Sequence, residues 1–132
     1  MAIKCYRQAL DIYEQGEGQG SVYHASTLYT LGNAYQYKNN YDMAIECYRE
    51  AVDIYAKGEG QGSVGHANTL NNLGLVYQKK KNYDMAIKCY REAVDIYAKG
   101  EGQGSVYHAN TLNSLGIAYE VIDSLYQSLE AF

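Results

Sequence analysis

Three kinds of side chain recur at matching places along this chain and could in principle do chemistry. They are His24, His66 and His108, then Cys5, Cys47 and Cys89, and finally the stretch Gly58-Glu59-Gly60-Gln61-Gly62-Ser63 with copies beginning at Gly16 and Gly100. Three His could hold a zinc ion only if they converged on one point. Residues one unit apart along a stack do not converge, so these His are read as cap or packing contacts, and no metal or cofactor is expected. Three Cys cannot all pair within one chain, and their even spacing fits no metal motif. They are read as small buried hydrophobes. The Gly-rich stretch lacks the Lys-Ser/Thr of a phosphate loop and joins two helices instead of following a strand. It is read as a flexible linker. No base, nucleophile and oxyanion stabiliser can be assembled from these residues, so no enzyme is expected.

What positions these residues is a repeat. Met1-Ala2-Ile3-Lys4-Cys5-Tyr6 returns as Met43 to Tyr48 and as Met85 to Tyr90, a period of 42. Met43–Tyr77 and Met85–Tyr119 differ at five of 35 aligned positions, so each unit sits in nearly the same environment. That is the mark of a solenoid rather than one mixed core. From Ser63, whose hydroxyl can cap the first turn, Val64, Ala67, Leu70, Leu73, Gly74 and Tyr77 follow the helical period. Asn82 ends that run. Met85, Ala86, Ile87, Tyr90, Val94 and Tyr97 carry a second helix, and Gly100 is expected to close it in a left-handed cap, as Gly16 and Gly58 do elsewhere. Gly32, Gly74 and Gly116 fall inside helices, at about 1 kcal/mol each relative to Ala. They imply a close helix–helix approach, with Ala44, Ala51, Ala86 and Ala93 as the expected small partners.

The chain has 132 residues, enough for one domain. A hydrophobic fraction of 47% argues against disorder. Sixteen Tyr against one Phe and no Trp predict amphipathic seams whose polar tips need partners. A net charge of −4 gives no reason to expect nucleic acid or anionic membrane. No apolar run approaches the roughly 20 residues of a membrane span, and a reducing, cytoplasmic setting is the default expectation.

Leu70, Leu73-Gly74, Tyr77, Ala86, Tyr90 and Ala93 resemble the tetratricopeptide repeat, as do Leu28, Leu31-Gly32, Tyr35, Ala44, Tyr48 and Ala51. Leu replaces the usual Trp, the usual Pro is absent, and the unit is eight residues longer than the 34-residue form. The longer period is similar to that of kinesin light chain repeats. The resemblance implies an all-α fold, an α-solenoid of antiparallel helix pairs winding as a right-handed superhelix. The expected helix order is B-A-B-A-B-A: a half repeat over 1–20, repeats over 21–62 and 63–104, and over 105–132 a half repeat with a divergent terminal helix. The unbroken spacing of Leu112, Leu115, Tyr119, Ile122, Tyr126 and Leu129 predicts one helix over roughly Val106–Glu130. The competing reading turns the chain at Asp123-Ser124.

In the family the first helices line a concave, peptide-binding groove. Carried across, that face holds Ser26, Tyr29, Thr30, Asn33, Gln36 and Tyr37, then Asn68, Asn71, Asn72, Leu75, Gln78 and Lys79, then Asn110, Asn113, Ser114, Ile117 and Glu120. Asn is a poor helix-interior residue unless its amide has a use, and its donor–acceptor pair can grip an extended main chain. The bland alternative is solvated surface left by duplication. Asn33 and Asn72 match positions of carboxylate-clamping domains, but Tyr29, Asn110 and Ser114 stand where the cations would be, which rejects that mode. Arg49 and Arg91 fall on second helices, away from the groove, against RNA reading. Lys79-Lys80-Lys81 is expected only to complement a helix C-terminus.

The expected partner is therefore a protein or an extended peptide. The alternative is self-association, head to tail or by swapping. Ala2, Tyr6, Ala9 and Leu10 of one molecule would dock on Leu112, Leu115 and Tyr119 of the next, with Ile122 and Tyr126 on the same stripe. The abrupt start also suggests a piece of a longer array.

Overall fold

The computed structural model describes residues 1–130. Six helices follow one another: α1 Ala2–Gln15, α2 Val22–Tyr37, α3 Tyr41–Lys57, α4 Val64–Lys79, α5 Tyr83–Lys99 and α6 Val106–Glu130. No strand occurs among the described residues. The fold is an all-α stack of antiparallel helix pairs. The last two residues of the unit expected over 105–132 lie outside the described residues.

Local chemistry sets the helix starts. Ser21, Ser63 and Ser105 each accept a hydrogen bond at Oγ, from the backbone N–H of His24, His66 and His108, all at 3.1 Å. Asn40 and Asn82 cap α3 and α5 through Oδ1, accepting from Met43 and Met85 N–H at 3.3 Å. Such caps stabilise a helix by about 1 kcal/mol. The tight turns before them place Asn39 at φ 62° and Lys81 at φ 64°, in the left-handed region that side chains rarely adopt.

Two expectations about glycine are corrected. Gly16, Gly58 and Gly100 are extended, with φ of −134°, −125° and −125°. The left-handed residues are Gly20, Gly62 and Gly104, four positions on. Their twist turns the backbone N–H back onto the following His, as described below. The glycine-rich segment forms a hydrogen-bonded loop. Gln19, Gln61 and Gln103 donate N–H to the carbonyl oxygens of Gly16, Gly58 and Gly100. A side chain at Gly60 would strike Tyr55, with Cβ only 2.6 Å from its ring. Inside the helices, the neighbour that excludes a side chain is also a Tyr ring rather than an alanine. A Cβ on Gly32 or Gly74 would lie 2.6 Å from Cε1 of Tyr48 or Tyr90.

Tyr48, Tyr90, Ala44, Ala51, Ala86 and Ala93 are fully buried, against Leu28, Leu31, Leu70 and Leu73. Two second helices are thus wedged between first helices: α3 between α2 and α4, α5 between α4 and α6. First helices also approach one another, α2 to α4 and α4 to α6, whereas α1, α3 and α5 do not. The stack therefore closes up on the first-helix side. α6 runs unbroken through Asp123-Ser124, so the turn expected there as the competing reading does not form. No described helix is long and apolar enough to cross a membrane.

Candidate peptide-binding face

The first-helix side carries a network of amides, and most of it points into the protein. The Tyr48 hydroxyl donates to Oδ1 of Asn33, and Oε1 of Gln36 lies 3.0 Å from the same hydroxyl. Tyr90 donates to Oε1 of Gln78 at 2.7 Å. Tyr97 donates to Oδ1 of Asn68. Between units, Asn72 Nδ2 donates to Asn33 Oδ1 at 2.9 Å and to the Tyr29 hydroxyl at 3.2 Å, while Thr111 donates to Asn71 Oδ1 at 3.1 Å. Burial pushes Tyr48 and Tyr90 far above the ordinary phenol value and Tyr97 up to about 12, so these hydroxyls stay protonated donors.

The arrangement gives several of these amides bonds inside the chain itself. The amides satisfy buried phenols, which sequence pattern could not reveal, because an inward amide and an outward one share the same helical position. One end of each group stays outward. No hydrogen bond engages Nδ2 of Asn33, Asn68 or Asn71, or Nε2 of Gln36 or Gln78, and none of these nitrogens is buried without a partner. A hydroxyl donor inside fixes the amide carbonyl inward and leaves N–H groups facing solvent.

The other expected groove residues divide. Ser26, Tyr37, Lys79, Asn110, Asn113, Ile117 and Glu120 are exposed, while Tyr29, Thr30, Leu75 and Ser114 are half-buried. Thr30 returns its hydroxyl to the Ser26 carbonyl oxygen at 2.9 Å, and Leu75 packs against the core. The lysine run does more than complement a helix end. Lys79 leans over the Tyr41 ring, 5.7 Å from its centroid, and Lys80 pairs with Asp42, so both reach back to the preceding unit.

The three His build the loops. Nδ1 of His24, His66 and His108 accepts from the N–H of Gly20, Gly62 and Gly104 at 3.0, 3.1 and 3.0 Å. Each ring stacks on the Tyr at the end of the preceding helix, Tyr13, Tyr55 or Tyr97, with centroids 5.7–5.8 Å apart. Among the described residues no group of His, Cys, Asp and Glu could hold a metal ion. Cys47 and Cys89 are buried, which pushes their thiols up to about 11 and about 12. Cys5, expected to be buried like them, is exposed, because no helix covers the outer face of α1.

Of the residues expected to meet another copy, Ala2 is exposed and Tyr6 and Ala9 are half-buried. Leu10 is 7% exposed and belongs to the chain's own core, which corrects its assignment to a docking surface. Leu112, Tyr119 and Tyr126 are 47%, 41% and 61% exposed, and Leu115 and Ile122 are half-buried.

A tetratricopeptide repeat profile matches residues 1–57 and 65–123. The chain belongs to the tetratricopeptide repeat family. Members of this family generally mediate protein–protein contacts. Among solved structures, BtubC (BKLC) from P. vanneervenii is similar at TM-score 0.79 and 25% identity, over 89% of this chain and 46% of that one. A Podosopora anserina putative kinesin light chain with nearly identical tetratricopeptide-like repeats is similar at TM-score 0.80 and 19% identity, over 97% and 61%. The chain thus spans less than two thirds of either structure. No curated protein matches it.

Proposed function

We propose that this chain is a non-enzymatic scaffold that holds an extended segment of another protein along the face made by α2, α4 and α6. The supporting observation is the orientation of the amides. Buried hydroxyls take the carbonyl oxygens of Asn33, Asn68 and Gln78, which leaves their N–H donors toward the outer side. Main-chain carbonyl oxygens are their natural acceptors, and gripping them needs no particular ligand side chain. Helices stack about 10 Å apart and an extended chain advances about 3.3 Å per residue. Successive units would therefore meet the ligand several residues apart. Exposed Asn110 and Asn113 continue the series on α6.

The test keeps the inner bonds and removes the outer donors. Asn68→Asp, Asn71→Asp and Gln78→Glu together retain an acceptor for Tyr97, Thr111 and Tyr90 but lose the N–H groups. Fluorescence anisotropy with a panel of unstructured peptides should find ligands for the native chain whose affinity falls at least about tenfold in the triple variant, a loss of about 1.4 kcal/mol. Equal affinity at equal melting temperature would remove this face from consideration.

A further inference from the structure

Charge in this chain is sorted by helix. α3 carries Asp42, Glu46, Arg49, Glu50, Asp53 and Lys57, and α5 repeats that pattern with Lys88 in place of Glu46. By contrast, α2 has no Asp, Glu, Lys or Arg, α4 has only Lys79 in its last turn, and α6 has none before Glu120. About a quarter of the residues in an ordinary soluble domain are charged. First helices so nearly empty of charge present a face that offers a ligand amide and hydroxyl hydrogen bonds instead of ion pairs.

One spot on that face departs from the repeat. Tyr23 on α2 and Tyr107 on α6 hold the same helical place and are 74% and 59% exposed, whereas α4 has Gly65 there. At the floor of the resulting notch lies the Tyr55 hydroxyl, 2.8 Å from where a Cβ on Gly65 would sit. Tyr55 itself is 5% exposed. Its counterpart one unit later, Tyr97, donates to Oδ1 of Asn68. In the place of Asn68 one unit earlier stands the shorter Ser26, and no hydrogen bond among the described residues engages the Tyr55 hydroxyl. Nor is that oxygen sealed from solvent. Burial pushes the Tyr55 phenol above its ordinary value, so it stays a proton donor. Two departures from the repeat, Gly65 and Ser26, thus leave one donor open on a face without charge.

We propose that the segment held along this face is an uncharged one, and that the Gly65 notch takes one of its carboxamide side chains, an Asn or a Gln. This rests on the scaffold reading and adds the chemistry of the ligand. The carboxamide oxygen accepts from the Tyr55 hydroxyl, and the exposed Ser26 hydroxyl is available to its NH2 group. A carboxylate or an ammonium would leave water without an opposite charge on these helices to meet it. Lys79 is 14 positions beyond Gly65 and Glu120 is 13 beyond Tyr107, each about 20 Å along its helix. An aliphatic side chain would strip water from the Tyr55 hydroxyl and return no acceptor.

The test is selection from random phage-displayed peptides of about twelve residues, long enough when extended to cross all three first helices. The native chain is compared with Tyr55→Phe, which keeps the ring that stacks on His66, and with Gly65→Tyr, which fills the notch as α2 and α6 do. Circular dichroism checks that each variant keeps its helices. Peptides enriched by the native chain should be poor in Asp, Glu, Lys and Arg and should share an Asn or Gln at one position. There the carboxamide should be preferred over Leu or Glu by at least about tenfold, and both variants should lose that preference. A synthetic copy of an enriched peptide should bind equally well in low and high salt, since no ion pair is there to be screened. Enrichment of charged peptides, or a carboxamide preference that survives in Tyr55→Phe, would overturn the inference and leave the scaffold reading standing. Enrichment of nothing above background would remove both.

Discussion

Single residues in this chain are set by what lies behind them more than by what they face. His66 is an example: burial holds its imidazole below the ordinary value, against a smaller opposing pull from Glu92. Its Nδ1 must also remain unprotonated to accept from Gly62 N–H. The unfolded chain binds the proton near pH 6.5, before the folded one does. The His66 contribution to stability is therefore complete above that value and is lost as pH falls through the lower folded value. Urea midpoints between pH 8 and 5 should decline, and His66→Phe should decline less steeply while starting lower. A second prediction concerns Asn68. Asn68→Ala would leave the buried Tyr97 hydroxyl without its acceptor and should lower stability by about 1–3 kcal/mol. Asn68→Asp, which keeps the acceptor, should cost less in the same denaturation experiment. The loop His and the cap Ser were legible in part, because spacing put both near helix starts. Which glycine turns left-handed was not, since Gly58, Gly60 and Gly62 are indistinguishable until the His acceptor is placed.

At the scale of an element, one substitution should act in opposite directions in two aligned helices. Gly74→Ala drives a methyl into the Tyr90 ring at 2.6 Å, in a core without slack. It should destabilise by about 1–3 kcal/mol. Gly116→Ala meets open space on an exposed helix and should stabilise the dilute protein by up to about 1 kcal/mol through propensity alone. Thermal unfolding of the two variants checks both signs at once. The helical glycines announced close approach from the sequence, but not its partner. Alanine was the expected neighbour because it is small, yet the space is given up to a flat ring whose hydroxyl then reaches Asn33 or Gln78. The course of α6 was legible because nothing between Leu115 and Leu129 breaks a helix. Residues 116–130 nevertheless align without a gap on 74–88, and Asp123-Ser124 stand where Lys81-Asn82 turn. The left-handed Lys81 gives a further expectation: Lys81→Asn, which copies Asn39 of the preceding turn, should raise stability by several tenths of a kcal/mol.

The whole molecule is a line of nearest-neighbour contacts, and its stability should be graded along that line. α3, α4 and α5 are each packed by helices on two sides, while α1 and the end of α6 are not. Hydrogen exchange at low concentration should be slowest in Ala44–Ala51, Leu70–Tyr77 and Ala86–Ala93. It should be fastest at the start of α1 and over 124–130. The period and phase of the stack were legible because each unit restates the previous one almost letter for letter. Its inner wiring was not, because the bonds between successive first helices join residues 39 to 43 positions apart. The same wiring has a consequence for how such a chain could change over generations. Every junction repeats the stack of a His ring on the Tyr of the preceding unit, so a duplication or deletion of 42 codons would leave that contact intact at each remaining junction. Copy number could then vary like the number of links in a chain, lengthening or shortening the bound segment without any new contact having to arise.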